Sequence, residues 1–409
     1  MEKTVEKTKL KKILDYIKKG IFWKKLHRYL FVSRKFYKLF TPLSFFIKVK
    51  PNKIVITSFF GRGYGDNGKY ITDYILKNKF DYELVWLIDR DICPDNKNFP
   101  AEIRLVNLYS WKAMKELASA GIWIDNCRKQ VFPKKKKNQK YINTWHGDFV
   151  FKKAEGDAQS LPESYIIMAK KDSQNIDLFL SDSKLLTDVI KNCFWYSGEI
   201  LQCGTPRSDL FFDKNKITVS SSKVREKYKI LPDEKIILYA PTFRKDNSLE
   251  AYNLDFLLVQ KAFEKKYKCP VRICVRLHPN VSLKSSELKI PENVIDASLY
   301  DDMQELLCSA DAVICDYSSL MFSYWYLNRP IFQFCTDLAD YMKNDRDFYF
   351  KLEDLPFILA QTNEELYDAI ISFDEKKYVE KLLAFKNQYE IYSNGTATKQ
   401  LVEWIENGI

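Results

Sequence analysis

The sequence predicts an α/β protein built from two doubly wound parallel units that face a cleft, preceded by a basic helical arm. Apolar strand-like runs alternate with helix-like stretches from residue 53 onward, which is typical of parallel sheets. The chain has 409 residues, whereas a single hydrophobic core rarely serves more than about 250 to 300 residues. The positive charge is concentrated at the start of the chain, which sets the arm apart from the body.

The arm is expected over residues 1–50, which hold 15 Lys and Arg against 3 Asp and Glu. Since the whole chain carries a net charge of +11, the other residues sum to about −1. The apolar positions Leu10, Ile13, Leu14, Ile17 and Ile21 recur at helical spacing. This pattern predicts a helix that lies on an anionic membrane surface. The alternative for the arm is a helix packed on the body with a solvated basic face. The run Lys134–Lys137 is expected either to contact anionic lipid as well or to form a solvated loop.

Several function classes are disfavoured by the sequence. Nothing after the arm resembles a base-reading module, so no nucleic-acid partner is expected. No apolar run reaches 18 residues and no apolar stretch precedes the first charges, so neither a spanning helix nor a signal peptide is expected. The nine cysteines are scattered without a C-x-x-C pair, which favours reduced cytosolic thiols. No carboxylate cluster suggests a metal, and the pair Asp89 and Asp91 is attributed to chance.

The first unit is expected over residues 51–215. Its strand-like runs lie at residues 53–60, 82–89, 101–108, 120–125, 140–145, 177–182 and 199–204. Helix-like stretches at 67–78 and 110–119 separate some of them. Strands that alternate with helices pair in parallel, because a crossover helix returns the chain to the same edge.

The second unit is expected over residues 216–385, after a polar, lysine-rich crossing at 205–233. Its strand-like runs lie at residues 235–241, 271–279, 293–297, 311–319 and 330–334, with helices at 254–267 and 303–310. Residues 386–409 are expected to form a helix that crosses back toward the first unit.

A glycine-rich loop follows the first strand. Gly63, Gly65 and Gly68 match G-x-G-x-x-G, and Asp89 ends the next strand, where dinucleotide-binding folds place a ribose-binding acid. This favours a nicotinamide- or flavin-dependent oxidoreductase as one alternative. The bulky polar residues within the loop are Arg62, Tyr64 and Asp66. They favour a loop that grips the acceptor, and a tight turn that needs positive φ is the third interpretation.

Two of the three histidines follow apolar strands. His146 lies between Trp145 and Gly147, just past a strand end, where doubly wound folds bind their ligands. A neutral imidazole there can take a proton from a hydroxyl group, and Asp148 is near enough in sequence to influence it. The glycine leaves the backbone open for a substrate.

The second histidine, His278, shares a side of its strand with Arg276, and a cation beside an imidazole suits a phosphate group. Thr242 and Arg244 follow another strand. Asp316 ends a further strand, and the hydroxyls of Ser318 and Ser319 open the next helix, where they suit phosphate oxygens or simply cap the helix. Together these strand-end loops predict a site for one anion of the size of a diphosphate.

The motifs TWHGD, GTPRSD, YAPTFR, RLHP and DYSSLMFSY, in this order, resemble the CDP-glycerol glycerophosphotransferase family, which includes teichoic acid primases and polymerases. The resemblance runs from about residue 53 to 400. It implies a GT-B-type fold and transfer of a polyol phosphate from a CDP-polyol to a hydroxyl of a lipid-linked or polymeric acceptor, with release of CMP and no cofactor.

The resemblance also implies residue roles. His146 would activate the acceptor hydroxyl, and His278 with Arg276 would stabilise the diphosphate. The rest of the expected donor-binding set is Trp145, Gly147, Asp148, Arg207, Thr242, Arg244, Asp316, Ser318 and Ser319. Arg62, Tyr64 and Asp66 are expected on the acceptor side.

Two positions depart from the family pattern, which usually has Thr at Asp148 and often an acid at Ser323. Both departures bear on which polyol is used; glycerol is the first expectation and ribitol the second. The alternatives are a GT-B glycosyltransferase that uses a nucleotide sugar and a catalytically inactive lipid-binding scaffold. The enzyme is expected at the cytoplasmic face of the bacterial membrane, in the synthesis of teichoic acid or a capsule-type polymer, with activity that survives chelation.

Overall fold

The computed structural model of the chain describes residues 35–408 except 96–97, 130–132, 245–248, 250, 279–280, 282–289 and 345–346, together with residues 26 and 29. The amphipathic stripe Leu10–Ile21 lies outside the described residues, so the membrane-binding helix expected there stays a prediction. Within the described part, the arm contributes helix α1 (Lys35–Ser44), which ends a few residues before the first strand.

The first unit is a sheet of seven parallel strands in the order β3-β2-β1-β4-β5-β6-β7. The strands are β1 (Lys50–Thr57), β2 (Glu83–Ile88), β3 (Arg104–Asn107), β4 (Ala120–Asp125), β5 (Lys140–Asn143), β6 (Leu178–Ser181) and β7 (Glu199–Gln202). The central strand β4 is buried along its whole length, as the continuous apolar run in the sequence requires. The strand order reverses between β1 and β4, and their carboxyl ends form the crevice where such sheets bind ligands.

The second unit is a sheet of six parallel strands in the order β10-β9-β8-β11-β12-β13. The strands are β8 (Lys235–Ala240), β9 (Val271–Val275), β10 (Ile295–Asp296), β11 (Ala312–Cys315), β12 (Ile331–Phe334) and β13 (Ile358–Ala360). Counted from β8, this is the order 3-2-1-4-5-6 of Rossmann folds. The predicted fold class of two doubly wound units is confirmed, and the short strand β13 was not predicted.

Helices cover both sheets. They are α2 (Asp66–Lys77), α3 (Trp111–Ser119), α4 (Glu163–Ser173), α5 (Lys184–Cys193), α6 (Lys214–Tyr228), α7 (Phe256–Tyr267), α8 (Met303–Ser309), α9 (Leu320–Tyr324), α10 (Leu338–Asn344), α11 (Asn363–Ser372), α12 (Glu375–Gln388) and α13 (Ala397–Asn407). Many begin at a side chain that accepts a hydrogen bond from the first turn, as Ser183 does for α5 and Asp255 for α7. Within the described residues, no helix has the length and apolarity needed to cross a membrane.

The expected domain boundaries after residues 215 and 385 fall inside α6 and α12. The second unit includes α6, because Val224 of that helix belongs to the buried core of the second sheet. The chain returns to the first unit after α12, where the N–H of Tyr392 donates to the carbonyl of Asp182 at 2.7 Å. The final helix α13 then packs on α2, and Leu401 and Ile71 are buried in the same core cluster of the first unit.

The loop after β5 joins the cores of the two units. Phe149 and Phe151 are buried in the same cluster as Phe322 and Trp325 of the second unit. The ring of Phe149 lies 4.9 Å from that of Phe322 and 5.4 Å from that of Trp325. The backbone takes part as well, since the N–H of Tyr349 donates to the carbonyl of Phe151 at 3.0 Å. The units therefore share a hydrophobic core as well as a linker.

Replacing Phe149 with alanine tests this shared core. We expect Phe149→Ala to lower the free energy of unfolding by about 3 to 5 kcal/mol, because the change leaves a cavity among aromatic rings. Phe46→Ala is the matched control, since Phe46 is 89% exposed and its loss should cost no more than about 0.5 kcal/mol. Urea denaturation measures both values, and equal stabilities of the two variants would contradict the shared core.

Candidate active site

The carboxyl ends of the two sheets border one cleft of about 760 Å³. The predicted residues that line it are Arg62, Tyr64, Asp66, His146, Arg207, Thr242, Arg276, His278, Ser318 and Ser319. Five other predicted residues, Trp145, Gly147, Asp148, Arg244 and Asp316, are not among the described residues that line it. Each unit contributes one of the two histidines, so the structure brings both imidazoles to the same cleft.

His146 is held by the end of the neighbouring strand β4. Its Nδ1 lies 2.7 Å from the backbone carbonyl oxygen of Asn126. A carbonyl oxygen only accepts hydrogen bonds, so in the neutral ring Nδ1 carries the hydrogen and Nε2 is the basic nitrogen. The ring also lies between Trp145, at 4.4 Å between centroids, and Phe59, at 5.7 Å. The imidazole is thereby prepared to accept a proton at Nε2.

The backbone around His146 is strained at two positions. Trp145 and Phe149 have φ angles of 53° and 51°, in the left-handed region that residues other than glycine rarely adopt. The N–H of Trp145 donates to Oδ1 of Asn143 at 2.9 Å, and its ring packs against Phe194. Trp145 therefore orients the loop. A Cβ atom at Gly147 would meet no atom within 4 Å, so the expected open backbone is present there.

Asp148 does not face the cleft, contrary to the expectation that it binds the donor. Its side chain is fully buried, at 0% exposure. It accepts hydrogen bonds from the hydroxyls of Thr205, Ser208 and Ser323, and Nη2 of Arg207 lies 3.0 Å from Oδ2. A buried carboxyl group needs such hydrogen-bond partners to offset the loss of water. Asp148 thus connects the loops after β5 and β7 with helix α9 of the second unit.

Arg207 lines the cleft, but its guanidinium is engaged within the protein. Nη1 lies 2.5 Å from Oδ2 of Asp66 and 3.1 Å from the carbonyl oxygen of His146. Burial lowers the pKa of Arg207, but the carboxylates of Asp66 and Asp148 outweigh burial and raise it above its usual range. The group is always charged, and two acids neutralise it. Its contacts support a role in positioning the histidine loop.

Arg244 and Asp316 are also buried, so the predicted contact of these side chains with the donor is corrected. Nη2 of Arg244 lies 2.9 Å from Oδ2 of Asp316, and Nε lies 2.7 Å from Oδ2 of Asp337. The guanidinium packs 5.1 Å from the ring centre of Tyr317. Oδ1 of Asp316 accepts a hydrogen bond from the N–H of Thr242 at 2.8 Å. This pair shapes the loop that carries Thr242 into the cleft.

His278 lies in a strongly cationic part of the cleft. Its ring packs on Phe243, with 4.7 Å between centroids. Burial and, to a smaller degree, the charges of Arg62, Lys152 and Arg276 together lower the pKa of His278 to about 4. Two of these cations, Arg62 and Lys152, come from the first unit. The positive potential therefore spans both sides of the cleft and suits an anionic ligand.

Hydroxyl groups from two strand ends of the second unit accompany these cations. Oγ1 of Thr242 is buried and has no hydrogen-bond partner among the described residues. Ser318 and Ser319 lie at the end of β11, and Oγ of Ser318 accepts a hydrogen bond from the N–H of Leu320 at 3.3 Å. Because β8 and β11 flank the reversal of strand order, these hydroxyls lie where the fold favours ligand binding.

Close packing requires glycine at two positions in or beside the glycine-rich loop. A Cβ atom on Gly68 would lie 2.9 Å from the ring of Trp86, so α2 can approach β2 only with glycine there. Gly61, which the sequence analysis did not single out, has a φ of 87°, and a Cβ atom there would lie 2.4 Å from the backbone nitrogen of Asp89. The ring of Tyr64 packs 5.0 Å from Trp86. Among the polar residues of this loop, the exposed Arg62 extends into the cleft.

Asn126 is a site residue that the sequence analysis missed. Besides holding His146 through its carbonyl, its amide accepts from the N–H of Phe59 at 2.8 Å and donates to Asp66 at 2.9 Å. It immediately follows β4 at the reversal of strand order, and this position was the signal that could have identified it. Asn126 connects the histidine, the glycine-rich loop and the acid that pairs with Arg207.

The part of the chain that the structure describes has no group of three or more His, Cys, Asp or Glu side chains arranged to hold a metal ion. The expectation that the activity survives chelation stays a prediction.

Comparisons with known proteins add an independent view of this site. The family described as CDP-glycerol:poly(glycerophosphate) glycerophosphotransferase matches residues 39–407. The teichoic acid poly(glycerol phosphate) polymerase of Staphylococcus epidermidis is 30% identical over 374 residues, which are 88% of this chain and 51% of that protein. The protein of the same name from Bacillus spizizenii is 30% identical over 363 residues, or 86% of this chain and 91% of that protein.

This chain thus spans about half the length of the first relative and most of the second. Among solved structures, that of the wall teichoic acid polymerase TagF superimposes with a TM-score of 0.77 at 28% identity. The superposition covers 98% of this chain and 97% of the other.

The lowered pKa of His278 predicts a pH dependence of stability. Between pH 6.5 and about 4 the unfolded chain takes up a proton that the folded protein does not, so this contribution to stability is full above 6.5 and is lost as the pH falls. We expect the unfolding free energy of the wild type to fall by about 2 kcal/mol more than that of His278→Asn between pH 7 and 5. Urea denaturation at both pH values measures this difference, and parallel pH profiles would contradict it.

Proposed function

Because the chain belongs to the CDP-glycerol:poly(glycerophosphate) glycerophosphotransferase family, we propose that it transfers glycerol phosphate from CDP-glycerol to a hydroxyl group of a lipid-linked or polymeric acceptor and releases CMP. The family predicted from the motifs is confirmed, as is the GT-B-like arrangement of two units. The product would be a teichoic acid or a related polymer.

One observation carries this proposal: His146 of the first unit and His278 of the second line the same cleft. One imidazole has its basic nitrogen defined by a hydrogen bond to a carbonyl oxygen, which suits a base. The other lies among three cations, which suits the diphosphate of a nucleotide-activated donor. Phosphoryl-type transfer depends mainly on such alignment and charge neutralisation.

In the proposed reaction, Nε2 of His146 takes the proton of the acceptor hydroxyl. The acceptor oxygen forms a bond to the phosphorus that carries glycerol. The bond from this phosphorus to the bridging oxygen breaks, and its electron pair leaves with CMP. The step balances, because one phosphoester bond forms as one phosphoanhydride bond breaks.

The second unit would stabilise the leaving CMP. Arg276 is half-buried, and its guanidinium is anchored by a hydrogen bond to the carbonyl of Tyr300. An anion beside His278 raises the pKa of that ring, so binding of the donor would favour its protonated form. The hydroxyls of Thr242 and Ser318 supply further hydrogen bonds to phosphate oxygens.

The dinucleotide-dependent oxidoreductase is disfavoured by the position of Asp89. This residue is 1% exposed, and its Oδ1 accepts a hydrogen bond from the N–H of Asp91. A ribose-binding acid has to present its carboxylate to a ligand. Glycerol remains ahead of ribitol as the polyol, since the two relatives reported above are poly(glycerol phosphate) polymerases.

We also propose that the enzyme associates peripherally with the cytoplasmic face of the membrane through its N-terminal arm. At the end of α1, Leu43, Phe45 and Phe46 are exposed, and Nζ of Lys134 lies 5.9 Å from the ring centre of Phe45. Exposed apolar side chains beside lysines are typical of segments that enter the membrane interface. We call these three residues the apolar edge.

The basic run Lys134–Lys137 contributes less to this surface than the sequence suggested. Lys135 forms an ion pair with Asp177. Nζ of Lys136 donates to the carbonyl of Ala118 at 3.1 Å and to that of Ile47. Lys134 and Lys137 are the exposed members of the run and remain available to lipid headgroups.

Release of CMP from a panel of CDP-glycerol, CDP-ribitol and UDP-sugars tests the reaction. We expect CMP from CDP-glycerol, and we expect His146→Ala to lower the rate by about 10²- to 10⁴-fold, as loss of a general base does. His27→Ala is the matched control, because His27 lies in the arm. Circular dichroism checks that the variants are folded. Near-normal turnover by His146→Ala would overturn its role, and UDP release from a UDP-sugar would indicate a glycosyltransferase.

Sedimentation with vesicles tests the membrane proposal. We expect Phe46→Asp to weaken binding to phosphatidylglycerol vesicles by about tenfold, because burying a phenylalanine side chain contributes about 1.5 to 3 kcal/mol. Leu299→Asp is the matched control, since Leu299 is 74% exposed and belongs to the second unit. Equal binding of the two variants would exclude the apolar edge as the membrane contact.

A further inference from the structure

We infer that Gln304 binds the nucleobase of the donor nucleotide, an inference that rests on the proposed function. Gln304 lies in the first turn of α8, lines the cleft and is only 6% exposed. Its side-chain amide makes no hydrogen bond to any described residue. Most of this residue is enclosed, but its amide atoms are not among the fully buried polar atoms without a partner, so they are accessible from the cleft that the residue lines. An amide that is accessible there and has no protein partner can donate to and accept from a ligand.

The hydrogen bond that caps α8 uses the backbone of Gln304 and not its side chain. Its backbone N–H donates to Oδ1 of Asp302, which caps the helix, at 2.9 Å. Asp302 in turn pairs with Lys69 of the first unit. Because the cap involves only the backbone of Gln304, replacing the amide leaves the start of α8 and this contact between the units unchanged.

The order of the strands indicates where the nucleoside lies. The loops after β8, β9 and β11 carry Thr242, His278 and Ser318, which surround the proposed diphosphate. Beyond β11, the buried pair of Arg244 and Asp337 fills the space at the end of β12, and no described residue after β12 lines the cleft. On the other flank the lining continues past β9 to the loop after β10 and the start of α8. A nucleoside attached to the diphosphate therefore extends toward Gln304.

The walls on that flank suit a flat heterocycle. Pro241, Leu277 and Met303 line the cleft near the ends of β8 and β9 and the start of α8. Leu277 is buried in the core beneath this wall and Met303 is half-buried, so the apolar surface offered to the ring faces comes mainly from Met303. The amide of Gln304 offers one donor and one acceptor side by side, and cytosine presents the matching pair, the ring acceptor N3 and the amino group on C4. The inferred contact is a two-point hydrogen bond at this edge of the base.

Calorimetric titration with CMP and with ribose 5-phosphate tests the inference, since the two ligands differ in the base. We expect the wild type to bind CMP more tightly than ribose 5-phosphate. Gln304→Ala and the nearly isosteric Gln304→Leu should each weaken CMP binding by about tenfold, the effect of losing hydrogen bonds to a buried partner. Binding of ribose 5-phosphate should be unchanged. Gln361→Leu is the matched control, an exposed glutamine of the second unit that is not among the residues lining the cleft, and both affinities should stay as in the wild type.

Other outcomes are distinguishable. If the Gln304 variants bind CMP like the wild type, or weaken both ligands equally, the inference is wrong. If they leave CMP binding intact and raise the KM of the acceptor, Gln304 contacts the acceptor and the inference is equally overturned. If the wild type itself neither prefers CMP to ribose 5-phosphate nor releases CMP from CDP-glycerol, the proposed function fails instead. Thermal melting verifies that each variant is folded, and Gln304→Glu, which keeps one acceptor, provides a second polar variant.

Discussion

The active-site geometry depends on the loop after β5, which is fixed at one end to the first unit and at the other to the second. His146 is held by the carbonyl of Asn126, and three residues later Phe149 is buried among the rings of the second unit. Between them, Asp148 accepts hydrogen bonds from both units. So short a segment leaves little freedom for the imidazole relative to the donor side. Alignment of this kind accounts for much of the barrier reduction in group transfer.

Two buried arginines also hold loops that border the cleft in place. Arg207 is paired with Asp66 and Asp148, and Arg244 with Asp316 and Asp337. Buried ion pairs contribute little net stability, because desolvation opposes their attraction. We therefore interpret both arginines as groups that fix the shape of strand-end loops. Arg62 and Arg276, which also line the cleft, come from opposite units.

The sheets were predictable because strands buried on both faces form nearly continuous apolar runs, as β4 and β8 do. The three-residue strand β13 gives too short a run to be recognised. The orientation of polar side chains was harder to predict from the sequence, because it depends on partners that are distant in the chain. Asp148 and Ser323 were treated as separate departures from the family pattern, yet they are hydrogen-bonded to each other. The two departures therefore belong to one contact between the units, which could not be seen from the sequence.

The aromatic loop also matters for how the protein is made. Phe149 leaves the ribosome long before Phe322 and Phe385, the rings that cover it in the finished fold. At synthesis rates of about 5 to 20 residues per second, this delay lasts roughly 10 to 50 seconds. During that time the aromatic side chains of this loop lack the rings that bury them in the folded protein. The first unit therefore completes this part of its core only after synthesis has passed α12.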